Sequence, residues 1–340
     1  MFLLIGLFLT FTLGYLLINI FDDRLNSYEQ IMLSVVIGFG MMTQLLFVLN
    51  LLNIRYSVAS VLVSLSLLDL FLGLLGMKRI VSSVKALKVV SLSAVLLWLR
   101  ALSLYERVIV LALSFLVITA FGRALFWPVW LWDALALYDY RAKIFFEAGG
   151  IAKSLAISSL PLHSYPPMTS LAHAFVYILG GGGANPQFIY ALFYIALIVT
   201  FYISLRKYCR RWMSLLFTLF LASTPMFVEF SANAYTNLPY TFYFGMGTIY
   251  LYRFMQEERW GIFIIAALLL GLAGWTRSPT ATTPHISQGH ASPRPGPACI
   301  TSRPACGPSG AGRGTSGVSS GSRRGCARAS RGSGRGRVCC

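Results

Sequence analysis

Charge is scarce in this chain of 340 residues, where Asp, Glu, Lys and Arg together make up 11%. Soluble domains carry about a quarter, so a soluble globular class is excluded. Cysteine is nearly missing from residues 1–278, with Cys209 alone there and the other five in the tail. A lone thiol builds neither an intrachain disulfide nor a thiolate metal site, and no CxxC pair occurs in the chain. Residues 279–340 lack Leu, Phe, Tyr, Trp and Met altogether. Such a stretch has nothing with which to fill a core and reads as a disordered tail rich in Arg, Gly, Ser and Pro.

That tail also explains the net charge of +17, because nine arginines and no acidic residue fall in 279–340. The remaining excess suits cytoplasmic loops obeying the positive-inside rule, and no nucleic-acid partner is expected. An Arg/Gly-rich tail that binds RNA or an anionic surface is one reading, but it would follow an outward-going helix. The abrupt loss of Leu favours an out-of-frame or chimeric join after Ser278, with a longer natural protein. The domain reading is therefore 1–278, an incomplete multi-pass membrane domain, and 279–340, the tail.

What is present is hydrophobic length, with 56% apolar residues and a mean hydropathy of +0.69. About 20 apolar residues cross a bilayer. Residues 1–20 fill one span and have neither the basic flank nor the cleavage site of a signal peptide. Residues 31–52 form a second and 57–77 a third, in which Asp69 must face other helices, as a lipid-facing carboxylate costs roughly 3 kcal/mol. Lys78, Arg79, Lys85 and Lys88 mark the cytoplasmic side. Residues 89–104 read either as a crossing or as an interfacial helix, and 108–121 as a span with its flanks. Residues 168–179 are apolar but short. Spans follow at 186–205, 212–228, 238–252 and 261–275, with cytoplasmic cations at Arg206, Lys207, Arg210 and Arg211. The fold class is all-α and polytopic. If 168–179 does not cross, the loops at 130–167, 229–237 and 276–278 share one outer face.

Segment 130–167 is the longest polar interruption and follows an aromatic belt of Phe126, Trp127, Trp130 and Trp132, the mark of a membrane interface. Helical spacing pairs Asp139 with Lys143 and Lys143 with Glu147, a solvated ladder worth a few tenths of a kcal/mol per pair. Asp133 has no basic neighbour three or four residues away. It suits either a general base or a helix N-cap. Arg141 and Lys143 suit a phosphate or snorkelling at the interface. His163 and His173 lack a carboxylate at ligand spacing, so a metal site is not expected. Tyr165, Pro166 and Pro167 hold the chain extended, as the wall of a cavity would require.

In order, WDALALYDYRAKIFFEAGG, HSYPPMTSLAHAFVYILGG, STPMFVEFSANAYTNLPYTFYF and GLAGWTRS resemble the GT-C class of membrane glycosyltransferases. Within it they are similar to the protein mannosyltransferase and aminoarabinose transferase relatives, over residues 123–278. The resemblance implies a GT-C-like helical bundle with a large non-cytoplasmic first loop bearing short helices, in the plasma (inner) membrane. It implies sugar transfer from a polyprenyl-phosphate donor to a hydroxyl of a glycan, lipid or protein, with inversion. Asp133 matches the acidic residue of the first loop, the base. Arg141, Lys143, His163, Tyr165, Asn237 and Arg277 fall to donor and phosphate binding. Asn237 stands where relatives often carry Asp, and the Glu-Gly that follows the last motif is lost at Pro279. No cofactor is required, although a divalent ion bridging the phosphate is compatible with the chemistry.

Two other classes remain open at the level of sequence. A transporter or lipid-carrier flippase places its site at mid-membrane, often between inverted repeats, and only Asp69 is charged there. The third reading is a non-functional, truncated remnant of the enzyme.

Overall fold

The computed structural model describes residues 1–22, 24–86, 99–151 and 165–277, with the side chains of 78–86 left aside. Among them there is no strand. The helices are α1 (Phe2–Phe21), α2 (Ser27–Leu51), α3 (Val58–Ala86), α4 (Leu104–Phe126), a π-helical segment (Ala134–Asp139), α5 (Tyr140–Ala148), α6 (Met168–Gly180), α7 (Phe188–Arg206), α8 (Arg211–Ala222), α9 (Pro225–Phe230), α10 (Asn237–Glu257) and α11 (Trp260–Thr276). Five helices are long and apolar enough to cross a membrane: α1, α2, Val58–Met77 of α3, α4 and α7. The chain is an all-α, multi-pass membrane protein. Residues 87–98, most of the ambiguous stretch at 89–104, and the tail from 278 lie outside the described residues.

Helices α2, α6, α7, α10 and α11 make the core, in which Phe175, Phe193, Phe242 and Tyr243 are fully buried. On the rim, α3 and α4 turn Leu67, Leu74, Leu111 and Ile118 outward, the lipid-facing surface of a membrane bundle. Several polar groups between helices find partners, and burial without one would cost several kcal/mol. Thr12 of α1 donates to Asp69 Oδ2 at 2.6 Å, so this carboxylate is bonded to a neighbouring helix. Tyr243 donates to the Val36 carbonyl at 2.6 Å.

Helices α1 and α2 meet through two glycines. A Cβ on Gly14 would lie 2.0 Å from the Ser34 carbonyl oxygen, and one on Gly38 2.0 Å from that of Thr10. Small residues let backbones touch where lipid offers no hydrophobic drive for association.

At the α10 C-terminal end lies a charged cluster. Arg253 is fully buried and pairs with Glu29 of α2, which also accepts from Tyr250. Nearby, Glu106 caps α4 together with Ser103 and receives Arg211 of α8 through two bonds of 2.8 Å.

The spans expected at 238–252 and 261–275 form α10 and α11, which are not among the five helices long and apolar enough to cross, and a third differs in shape. Residues 212–228 form two helices, because Ser223 and Thr224 end α8 and Pro225 starts α9. Proline has no N–H to continue the α8 ladder but suits the first turn of a new helix. The 13 residues of α6 span roughly 20 Å, less than the hydrocarbon core, and Met168 to Leu179 are all buried. This short helix sits inside the bundle, supporting the π-segment and α5.

Candidate active site

The chain leaves α4 through Trp127 and Trp130, both exposed, and re-enters helix at Trp132. The turns at 134–139 are wider than an α-helix: Tyr140 donates its backbone N–H to Leu135, five residues back. Such π-turns are rare and recur at functional sites. Their consequence here is a change of neighbours, since residues five apart now share a face. Asp133 and Tyr138 are five apart.

Asp133 is exposed and makes no side-chain cap bond, so the N-cap role is not what holds it. It forms no hydrogen bond or ion pair among the described residues. Its charge acts on two tyrosines. Tyr138 has its pKa raised mainly by burial, opposed by Thr236 and Arg277 and reinforced by Tyr165 and Asp133. Tyr235 is raised by burial first, then by Asp133 and Glu229. Tyr138 and Thr236 hydroxyls lie 3.3 Å apart, which ties the π-segment to the turn before α10. Arg277, exposed at the end of α11, donates to Asn237 Oδ1 at 3.4 Å. The charges of Asp133 and Arg277 thus both reach Tyr138, and Asn237 is bonded to Arg277.

The other candidate residues are placed differently. Arg141 is buried, donates to the Tyr165 carbonyl at 3.0 Å and lies 5.4 Å over the Phe145 ring. Burial lowers its pKa, while Tyr138 opposes that shift. The Tyr165 ring meets that of Tyr138 edge to face at 6.0 Å, so both residues buttress the Asp133 face from behind. Lys143 is exposed and bonded to Asp139 at 3.0 Å. His163 lies outside the described residues.

One expectation from helical spacing is corrected. The Asp139–Lys143 pair forms, but Asp139 is 2% exposed, not part of a solvated ladder, and among the described residues no ion pair joins Lys143 to Glu147. His173, which has no carboxylate at ligand spacing in the sequence, places its Nδ1 3.3 Å from Asp139 Oδ1, off the line a hydrogen bond needs. Its Nε2 is 2.8 Å from the Tyr190 hydroxyl. Tyr177 donates to the same Asp139 oxygen. Burial pushes the Asp139 pKa up, but His173, Tyr177 and Lys143 outweigh it and hold the carboxyl at about 2. The cause of both placements is α6, which covers the inner face of α5. His173 and Tyr177 are four apart, a signal that they share one face, but nothing in the sequence says that this face meets Asp139.

Three cavities surround these groups. Arg123, Trp127, Trp130, Ala232 and Asn233 enclose about 270 Å3 at the aromatic belt. Asp139, Lys143 and Tyr177 border a second, of about 380 Å3, with Phe126 and Asn185. A third, of about 430 Å3, is an apolar groove between α4, α7 and α8, reaching Ile118 on α4. Arg123 stands five residues beyond Ile118, roughly 8 Å along the helix. Arg123 falls in none of the quoted motifs, and Asn233, although inside STPMFVEFSANAYTNLPYTFYF, has no neighbour in the sequence that marks it out. Among the described residues no group of three or more His, Cys, Asp or Glu is placed to hold a metal ion.

Residues 164–285 match the family model described as dolichyl-phosphate-mannose-protein mannosyltransferase. No curated protein and no solved structure matches the chain. The matched stretch runs from just before Tyr165 through Asn237 to beyond Arg277, and so contains the bonded pair Asn237 and Arg277. Together with the all-α, multi-pass fold, this match supports a GT-C class membrane glycosyltransferase that uses a lipid-linked sugar donor.

Proposed function

We propose that the protein transfers a sugar from a polyprenyl-phosphate donor to an acceptor hydroxyl at the non-cytoplasmic face of the plasma membrane, with Asp133 as general base. The observation that carries this reading is the exposed carboxylate of Asp133, without a bonding partner among the described residues, together with the exposed cation Arg277, whose charge acts on the same Tyr138. A base must be accessible to an incoming hydroxyl, and a leaving phosphate needs positive charge nearby.

In the reaction, Asp133 takes the acceptor O–H proton while the oxygen attacks the anomeric carbon. The bond from that carbon to the phosphate oxygen breaks, and the phosphate departs with the electron pair. One displacement inverts the anomeric configuration. Arg277 is the cation assigned to the departing charge; Lys143 would first have to leave Asp139, and Arg141 serves by fixing Tyr165. The groove between α4, α7 and α8 suits the polyprenyl chain, with Arg123 and the two tryptophans above it at the depth of its phosphate. The acceptor is a hydroxyl of a glycan, lipid or protein.

The test is Asp133→Asn in membranes supplied with lipid-linked donor. Expression and insertion stay as in the wild type, and transfer falls at least a hundredfold, the upper part of what a general base contributes being about 10⁴. Wild-type turnover in the variant removes Asp133 as the base. Retention of the donor's anomeric configuration in the product, read by NMR, would rule out the single displacement.

A further inference from the structure

At the opposite end of the bundle from Asp133, a cavity of about 420 Å3 lies between the start of α2 and the ends of α7 and α10. It is lined by Arg24, Asn26, Glu29, Arg206, Lys207 and Arg253 among others; Glu257 beside it pairs with Lys207 at 2.6 Å and with Arg253 Nε at 3.4 Å, so four cations face two carboxylates. Position 253 is 16 residues along α10 from Asn237, about 24 Å, which separates this cavity from the candidate active site. Part of the positive charge answers the negative C-terminal ends of α7 and α10. That role does not account for all of Arg253. Its side chain is fully buried, bonds Glu29 through Nη1 and Glu257 through Nε and lies over the Tyr250 ring, yet Nη2 has no hydrogen-bond partner. A buried guanidinium donor left unpaired is costly, and this one belongs to a cavity wall that three further cations share. Arg24 and Arg206 stand exposed at the mouth, and the N-terminus of the 25-residue α2 adds its own positive end.

We propose that this cavity is an oxyanion site that takes a phosphate group, with Arg253 Nη2 as its deep donor and Arg24 and Arg206 as its rim, Lys207 being held by Glu257. Guanidinium groups match phosphate oxygens in planar, paired geometry. The ends of two membrane-spanning helices, α2 and α7, bring the site to the depth where an anionic phospholipid presents its headgroup; free phosphate offers the same chemistry from the water side. Arg206 also bonds the Cys209 carbonyl through Nη1 at 2.9 Å, which leaves its other donors for the ligand.

The experiment uses the full chain purified in detergent, at fixed ionic strength. Thermal unfolding is followed during titration with inorganic phosphate, and separately with phosphatidylglycerol against phosphatidylcholine in mixed micelles. The comparison protein is the Arg24→Gln/Arg206→Gln double variant, whose two side chains are exposed and whose loss leaves the Arg253–Glu29 pair intact. Stabilisation by phosphatidylglycerol but not phosphatidylcholine, with a dissociation constant raised at least tenfold in the variant, establishes the lipid headgroup as occupant. Stabilisation by inorganic phosphate with the same loss establishes a free phosphate site. If neither anion shifts the unfolding temperature, or the variant responds as the wild type does, the proposal is wrong.

Discussion

Asp139 gives the sharpest test of how the loop is held on the bundle. The substitution is Asp139→Asn, which keeps the shape and removes the charge. In the structure the carboxylate is 2% exposed, takes a hydrogen bond from Tyr177 and binds Lys143 at 3.0 Å. With its pKa moved from 3.8 to about 2, the linkage relation gives roughly 2–3 kcal/mol for a fully buried group. The carboxylate borders a cavity, and allowing for screening there brings the contribution to about 1–2 kcal/mol. The sign follows from the direction of the shift. A carboxyl whose folded pKa is depressed stabilises the fold above its unfolded pKa, and that contribution disappears as pH falls from about 4 towards 2. The assay is thermal unfolding of detergent-purified wild type and variant across pH 7 to 2.5. At neutral pH the variant unfolds at lower temperature, and the gap narrows below pH 4. Coincident curves at pH 7, or a gap that persists unchanged at pH 2.5, would refute the account of Asp139 as a charged tie to α6.

Two further outcomes follow from contacts outside the loop. Gly14→Val places a side chain against the Ser34 carbonyl, where even a Cβ would be 2.0 Å away, so α1 and α2 separate; detergent-stable yield should drop sharply, and an unaltered melting profile would show that these helices do not touch as described. Glu106→Gln weakens the two 2.8 Å bonds to Arg211, at a cost of about 1 kcal/mol because Arg211 is a third exposed and solvent discounts charged pairs there; an unfolding temperature within error of wild type contradicts this tie between α4 and α8.

Much of the bundle was legible because long apolar runs have few alternatives in a bilayer. The spans expected at 1–20, 31–52, 57–77 and 186–205 became α1, α2, α3 and α7, each within a few residues at its start. The break at Pro225 was legible in principle, since proline after Ser and Thr is a helix-start signal; a hydropathy count passes over it because Met226 to Val228 are themselves apolar. The site was legible only in part. Asp133 stood out by having no basic neighbour at helical spacing, and it is indeed exposed. Asn237 and Arg277, 40 positions apart, do meet. The burial of Asp139 was hidden, because it depends on where a helix beginning 29 residues later packs.

Two carboxylates six residues apart, one before the π-segment and one at its end, have opposite surroundings. A continuous α-helix advances six residues through about 600°, so Asp133 and Asp139 would lie some 120° apart. The wider π-turns bring Tyr138 round towards the Asp133 side, while Asp139 faces inward to His173 and Tyr177. The inward carboxylate then has three partners and is fixed as a negative charge. The outward one keeps a tyrosine beneath it, bonded to Thr236, and no side-chain bond of its own among the described residues. Anchoring and accessibility are thereby divided between two residues of one short segment: the tie to α6 sets where the segment sits, and Asp133 can remain open to an incoming hydroxyl without the loop losing its place.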